Sequence, residues 1–404
     1  MIRHVSAVVG VIPPRSAGGA TTRRKLLALV SAAAMTGLVG WTTPAAAASP
    51  AAAASAPASH AMGFRQVNLV ADQPGVAPLM DPDLVNPWGL SATPGTDASP
   101  GSPLWVSDNG MDKTTLYAGT SVTAVTKAAL VVDVTSGAPT GQVFNTDSTG
   151  FVVRDDAGHS GAARFIFASE NGGIDGWNPA VGAVPPATSS TVSEVAVRNG
   201  ANAVYKGLAI ATASDGHTYL YAANFRSGRV EAYDNTFTPV ELPGGLFVDP
   251  RIPAGYAPFN VQELAGKLYV TYAKQDTTLR DDIAGRGHGF VDVFTTDGAF
   301  VRRLVTRGVL NSPWGLALAP AGFGRLGGAL LVGNFGDGRI NAFNAKTGAY
   351  LGQLRQSTGK PIAIDGLWAL RFGNGNAAKT TELLFSAGPD DESHGLVGKI
   401  VAAG

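Results

Sequence analysis

The chain has no cysteine, which excludes both disulfide stapling and thiol chemistry. Charge is sparse too: Asp, Glu, Lys and Arg make up 15% of 404 residues, with 30 basic side chains against 30 acidic ones. No positive excess marks a nucleic-acid partner. Long windows with helical apolar periodicity are missing after residue 64. So are the G-x-S-x-G, H-E-x-x-H and P-loop patterns. "GFGRLG", 322–327, does satisfy G-x-G-x-x-G, but it lies between two strand-like runs with no helix after it. It therefore reads as a glycine-rich turn and not a dinucleotide site.

The first sixty residues differ from the rest. Arg3, Arg15, Arg23, Arg24 and Lys25 precede the apolar run "LLALVSAAAMTGLVGW", 26–41, and an Ala/Pro/Ser-rich stretch follows. A basic start, a short apolar run and small residues around A-x-A form an export signal. The run is short for a membrane helix and no second one follows, so no membrane span is expected. "TRRKLL", 22–27, resembles a twin-arginine signal, with an ordinary secretory signal as the alternative. The expected division is therefore 1–61 as export signal and linker and 62–404 as one domain, a monomer outside the cytoplasm, periplasmic or extracellular. Losing five basic residues leaves 25 basic against 30 acidic, a net charge of about −5.

What the domain does contain is a repeated phrase. "NPWGLSATPG", 86–95, returns as "NSPWGLALAPAG", 311–322. Around it, short β-branched and aromatic runs broken by Gly, Asn, Asp and Pro read as strands and hairpins. Each unit has an inner strand, a turn, a second strand ending in a polar loop, and a third strand. "VYKGLAIAT", "APFNVQEL" and "GLWALRFG" open further units, and "ARFIFASENGGIDGW", 163–177, keeps only the second strand and loop of a weaker one. The equivalent positions Gly89, Gly207, Asn260, Gly315 and Ala369 are spaced by 118 (two units of 59), 53, 55 and 54. Six units of this size predict an all-β, six-bladed β-propeller. The last unit shows three strands, so "FRQVNLVA", 64–71, is expected to supply the fourth and close the ring.

The runs "NLVADQPG", "YAKQD", "GFVDVF", "LLVGNFGDGRINAF", "IDGLWALRFGNG" and "AGPDDESHGLVG" complete the pattern. With the phrases above they resemble an uncharacterised family of secreted bacterial six-bladed propellers, near the NHL-repeat and gluconolactonase-like propellers. The resemblance covers nearly all of 64–402 and implies fold and export. It implies little chemistry.

Antiparallel order places the starts of inner strands on the same face as the loops after the second strands. On that face the expected ligand-binding residues are Trp88, Lys206, Phe259, Asn260, Trp314 and Trp368, with Asn224 and Asn334 from the loops. The three tryptophans read either as a floor on which a ligand stacks or as packing. The Asn loops serve either a ligand or ordinary β-turns. Candidate catalytic groups are Asp365, Glu170, His288 and His394, the histidines as proton carriers near neutral pH. A metal site of the gluconolactonase kind, holding one divalent cation such as Ca²⁺, would draw on Asp365, Glu170, Asp108 and Asn260. In those enzymes an acid or amide precedes a strand-start glycine. Here only Asp365 matches, since Trp stands before Gly89 and Gly315. The insertion "AKQDTTLRDDIAGRGHG", 273–289, is a charged loop on the same face, read as a lid or as a solvated loop. The function expected is binding of a small molecule, glycan or peptide at the central face. The alternative is a metal-dependent lactonase or related hydrolase.

Overall fold

Six small sheets, antiparallel except where Leu79–Met80 pairs parallel with Phe64–Ala71, surround one axis, as seen in a computed structural model that describes residues 63–119, 124–242 and 247–403. The predicted export signal and linker, 1–61, lie outside the described residues. Each sheet is one blade whose strands run outward from the axis in chain order. The inner strands are Pro87–Ser91, Pro139–Phe144, Tyr205–Thr212, Tyr256–Leu264, Pro313–Leu318 and Leu367–Phe372. Blade 6 takes its outer strand from the other end of the chain. Phe64–Ala71 pairs antiparallel with Leu396–Ala402, from Phe64 opposite Ala402 to Ala71 opposite Leu396. This pairing closes the ring as the sequence predicted and leaves no blade edge open at the join.

The second blade differs from the even division into two units of 59. Its inner strand carries Gly141 at the motif position, so the intervals from Gly89 and to Gly207 are 52 and 66. The extra length of this unit includes a separate hairpin, Val152–Arg154 with Ser160–Ala162. "PTGQVF" lacks the Trp-Gly pair, and that hid this strand among the turns.

The motif glycine follows from crowding at the axis. A Cβ on Gly315 would come within 2.6 Å of the Trp368 carbonyl oxygen on the next inner strand. Gly89 meets the backbone of Thr140 and Gln142 in the same way. Away from the axis, neighbouring blades share apolar cores. Blades 5 and 6 meet through Leu331, Ile340, Leu367, Leu370 and Phe385, and blades 3 and 4 through Tyr221, Val261, Val270 and Phe294. Blade faces, buried on both sides, explain the low charge of the chain.

Gly315→Ala must push backbone against backbone and cannot be relieved by a rotamer change. We expect a loss of about 1–3 kcal/mol in urea unfolding, whereas unchanged stability would show that the inner strands can separate freely.

Candidate functional site

The residues before the motif positions meet on the axis. Trp88 and Trp368 stack with centroids 3.4 Å apart, and Trp314 meets them edge-on at 6.0 and 5.8 Å. Phe259 packs against Trp368 at 5.9 Å. All four rings are buried, so together they form a plug that fills the channel. The expected stacking floor is therefore corrected: Trp88 and Trp368 stack on each other, so they close the channel and border the cavity above without offering an open ring face. Phe335, after the second strand of blade 5, stacks on the other side of Trp368 at 4.0 Å and remains half-buried. It is the ring that lines the mouth from above, whereas the sequence had singled out Asn334 in its "NFGDG" loop, as a ligand contact or a turn residue.

Above the plug lies a cavity of about 410 Å³, lined by Trp88, Glu170, Lys206, Asp281, Asp282, Ala284, Phe335, Gly336, Asp365, Gly366, Trp368, Gly388, Asp391 and Glu392. Six of these carry carboxyl groups, one a cation. Lys206 is buried and pairs with buried Glu170 through a short hydrogen bond from Nζ to Oε1. Its Nζ also lies 5.0 Å from the Trp88 ring centroid, a cation–π contact. Burial alone would raise the Glu170 carboxyl, but the Lys206 charge and hydrogen bond, helped by Arg280, hold it below the usual carboxylate range. An ion pair so placed costs desolvation on both sides and tolerates no missing partner.

Polar bridges tie this pair to the far wall. Asn109 Nδ2 donates to Glu170 Oε2 at 3.1 Å, and Asn86 Nδ2 donates to Asn109 Oδ1 at 3.3 Å and to Glu392 Oε2 at 2.7 Å. Asn86 Oδ1 in turn accepts the Trp368 indole N–H at 3.0 Å. Glu392 sits in a tight left-handed turn: Asp390, Asp391 and Glu392 have φ of 54°, 52° and 66°. Backbone of this kind persists only where surrounding bonds enforce it. Here Asp365 Oδ2 accepts from Asp390 N at 3.0 Å, and Glu392 N donates to Gly388 O at 3.2 Å. Burial pushes the Glu392 carboxyl up to about 7, the Glu170 and Asp281 charges adding to it against the Asn86 hydrogen bond and the Lys206 charge.

The insertion 273–289 does reach this mouth. Asp281 lies 3.4 Å from Lys206 Nζ, while Arg280 donates to the Glu170 carbonyl at 3.3 Å and sits 3.8 Å from its carboxylate. Its ionic groups thus meet blades 2 and 3.

Several expected site residues lie elsewhere. Asn260 donates to Trp314 O at 2.8 Å and faces the opposite end of the channel, as does Trp314. Asn224 binds Glu231 Oε1 at 2.7 Å, and Asn334 binds Val309 O at 2.8 Å and Asp337 at 3.0 Å, which is turn and strand-end bonding. His288 is bonded within the insertion to Ile283 O at 2.8 Å. His394 is bonded to Asp72 Oδ2 at 2.7 Å, pinning the segment just after the closing strand. Neither histidine lines the cavity. Asp108 is fully buried inside blade 1, where burial holds its carboxyl well above the usual range. Asp365, Glu170, Asp108 and Asn260 therefore do not converge as ligands. Among the described residues no three His, Cys, Asp or Glu side chains are placed to hold a metal ion. The metal-dependent reading does not fit these side chains.

The architecture is that of a six-bladed β-propeller with a preorganised acidic mouth over an aromatic plug. No family profile matches the chain. It belongs to the same family as the uncharacterized proteins R648 and L690 of Acanthamoeba polyphaga mimivirus. Each is 34% identical over 340 residues, spanning 82% of this chain and 78% and 84% of the respective relative. Among solved structures, it is similar to an alpha-L-arabinanase of Penicillium chrysogenum complexed with arabinobiose, at a TM-score of 0.48 and 11% identity over 83% of this chain and 97% of that one. A PQQ-bound aldose sugar dehydrogenase of Streptomyces coelicolor gives 0.45 and 14% over 84% and 99%. A gluconolactonase of Xanthomonas campestris gives 0.36 and 13% over 63% and 87%. At these TM-scores the likenesses carry no argument about chemistry.

Because Glu392 titrates near 7 when folded but near 4.5 when unfolded, the native state holds its proton more tightly. Its contribution to stability must then fall as pH rises from about 4.5 to about 7. In Glu392→Gln that fall is removed, so the variant should gain on the parent chain across this window and not outside it. Paired urea titrations at several pH values measure this, and a pH-independent difference would count against the buried, protonated carboxyl.

Proposed function

We propose that this chain is an exported propeller that binds a small glycan or glycan end at the axial mouth. One observation carries the reading: a half-buried aromatic ring, Phe335, borders a cavity of about 410 Å³ whose wall carries six carboxyl groups, with Glu170, Asp365 and Glu392 held by hydrogen bonds. Sugars offer an apolar ring face beside a rim of hydroxyl donors. Phe335 suits the first, and Asp365, Asp391 and Glu392 accept from the second. The Asn86 and Asn109 bridges and the Lys206–Glu170 pair reduce the cost of ordering the site on binding. Export rests on the basic, apolar and small-residue order of the first sixty residues. The binding site needs no partner chain.

A second reading, hydrolysis of a lactone or ester, draws on one specific feature. Glu170 is held ionised while Glu392 keeps its proton to about 7, and such splitting of neighbouring carboxyls is how acid and base roles are assigned. Screening the signal-free protein on a glycan array, followed by calorimetry on the best binder, decides between them. Phe335→Ala and Asp365→Asn should each weaken glycan binding by about tenfold or more, since an aromatic contact or a carboxylate hydrogen bond is worth that much. Binding that ignores both substitutions, or no binding to any glycan, sinks the proposal. Turnover of lactones that Glu392→Gln abolishes would move the assignment to the second reading.

A further inference from the structure

Below the plug the channel opens again at the other end of the inner strands, as a cavity of about 300 Å³. Its wall is mostly backbone and small or apolar side chains, with two charged residues, Arg371 and Glu263. Glu263 is occupied in its own turn, accepting from Gly266 N at 2.6 Å. Arg371 stands two residues past the motif position of blade 6, on the same ring as Ser91 and Gln262. Its Nη2 donates to Ala92 O, just past the end of the neighbouring inner strand, at 3.1 Å. Among the described residues it makes no other hydrogen bond and no ion pair.

A guanidinium carries five N–H donors in a rigid plane and keeps its charge at any physiological pH. Partial burial lowers its pKa to about 10, which leaves it cationic at neutral pH. The guanidinium is half-buried, and Glu263, the one carboxylate on the same wall, forms no ion pair with it among the described residues. The Ser91 hydroxyl, on the adjacent inner strand, is also buried without a partner. Beyond the Ala92 bond the Arg371 fork has N–H donors to spare, and its complement is a compact planar anion, although the same wall also carries Gln142 Oε1, a buried acceptor without a partner, and the Glu263 carboxylate. We propose that this lower mouth is a second binding site, for a small organic carboxylate gripped by the Arg371 fork. The aromatic plug separates it from the acidic mouth, whose charges would repel the same ligand. The site is independent of the glycan reading.

The test uses acetate and malonate as sodium salts against sodium chloride at equal ionic strength, with inorganic phosphate as the competing oxyanion. Calorimetry and melting on the propeller should show saturable carboxylate binding, weakened at least about tenfold in Arg371→Gln by loss of charge-assisted hydrogen bonds. Arg371→Lys keeps the charge and guards against a variant that fails to fold. Lacking the planar fork, it should lose most of the carboxylate affinity as well. Phe335→Ala, at the other mouth, should bind malonate as the parent does, so failure of the glycan reading and failure of this one are told apart. No carboxylate effect beyond chloride overturns the site. So does binding that survives in both Arg371 variants, or a response to phosphate alone.

Discussion

The approach of six inner strands at the axis governs the rest of the molecule. Where Gly89 and Gly315 sit, the neighbouring backbone leaves no room for a Cβ. Strands that close force the preceding side chains inward, and Trp88, Trp314 and Trp368 fill the space as a plug. The plug divides one channel into two cavities of different chemistry. Ring closure through Phe64–Ala71 keeps the six strands at that spacing, since an open ring could relax outward.

Above the plug, desolvation and pairing are balanced residue by residue. Lys206 and Glu170 are both buried, so each depends on the other, and the Trp88 face adds to the cation's stabilisation. Glu392 lacks a cation of its own. It accepts one amide hydrogen bond from Asn86 and keeps a proton to near neutrality. The same few ångströms therefore hold one carboxyl charged and another neutral, and the difference comes from which one the lysine reaches. The left-handed turn at Asp390–Glu392 positions the neutral one, at a conformational cost that Asp365 and the Gly388 carbonyl help offset.

Much of the fold was legible because its signals are local. Alternating apolar runs, a repeated Pro-Trp-Gly phrase and a missing fourth strand identified six blades and their closure. The weak second blade escaped in part, since "PTGQVF" carries the motif glycine without its tryptophan. The site was less legible. Glu170, Lys206 and Asp365 do line the upper cavity, whereas Asn224, Asn334, His288 and His394 serve their own turns and loops. Phe335 stood in a loop singled out only for its asparagine, Glu392 in one that turn chemistry already explained, and Asp281 in the charged insertion, read as a lid or a solvated loop. Only Asn86, which joins blade 1 to Trp368 and Glu392 of blade 6, shows why Glu392 counts.

By itself the sequence determined the class of the fold, the number of repeats, the crowding glycines and the face on which polar loops gather. These follow from residue type and spacing along the chain, which set strand, turn and close approach locally. The tertiary structure alone decided that the tryptophans seal the channel, that Glu170 pairs with Lys206 while Glu392 does not, and that Arg371 faces a cavity without a carboxylate partner. Those outcomes depend on distances and burial between residues up to about 300 positions apart, such as Asn86 and Glu392. Pairing and desolvation act through space, and no spacing along the chain encodes them.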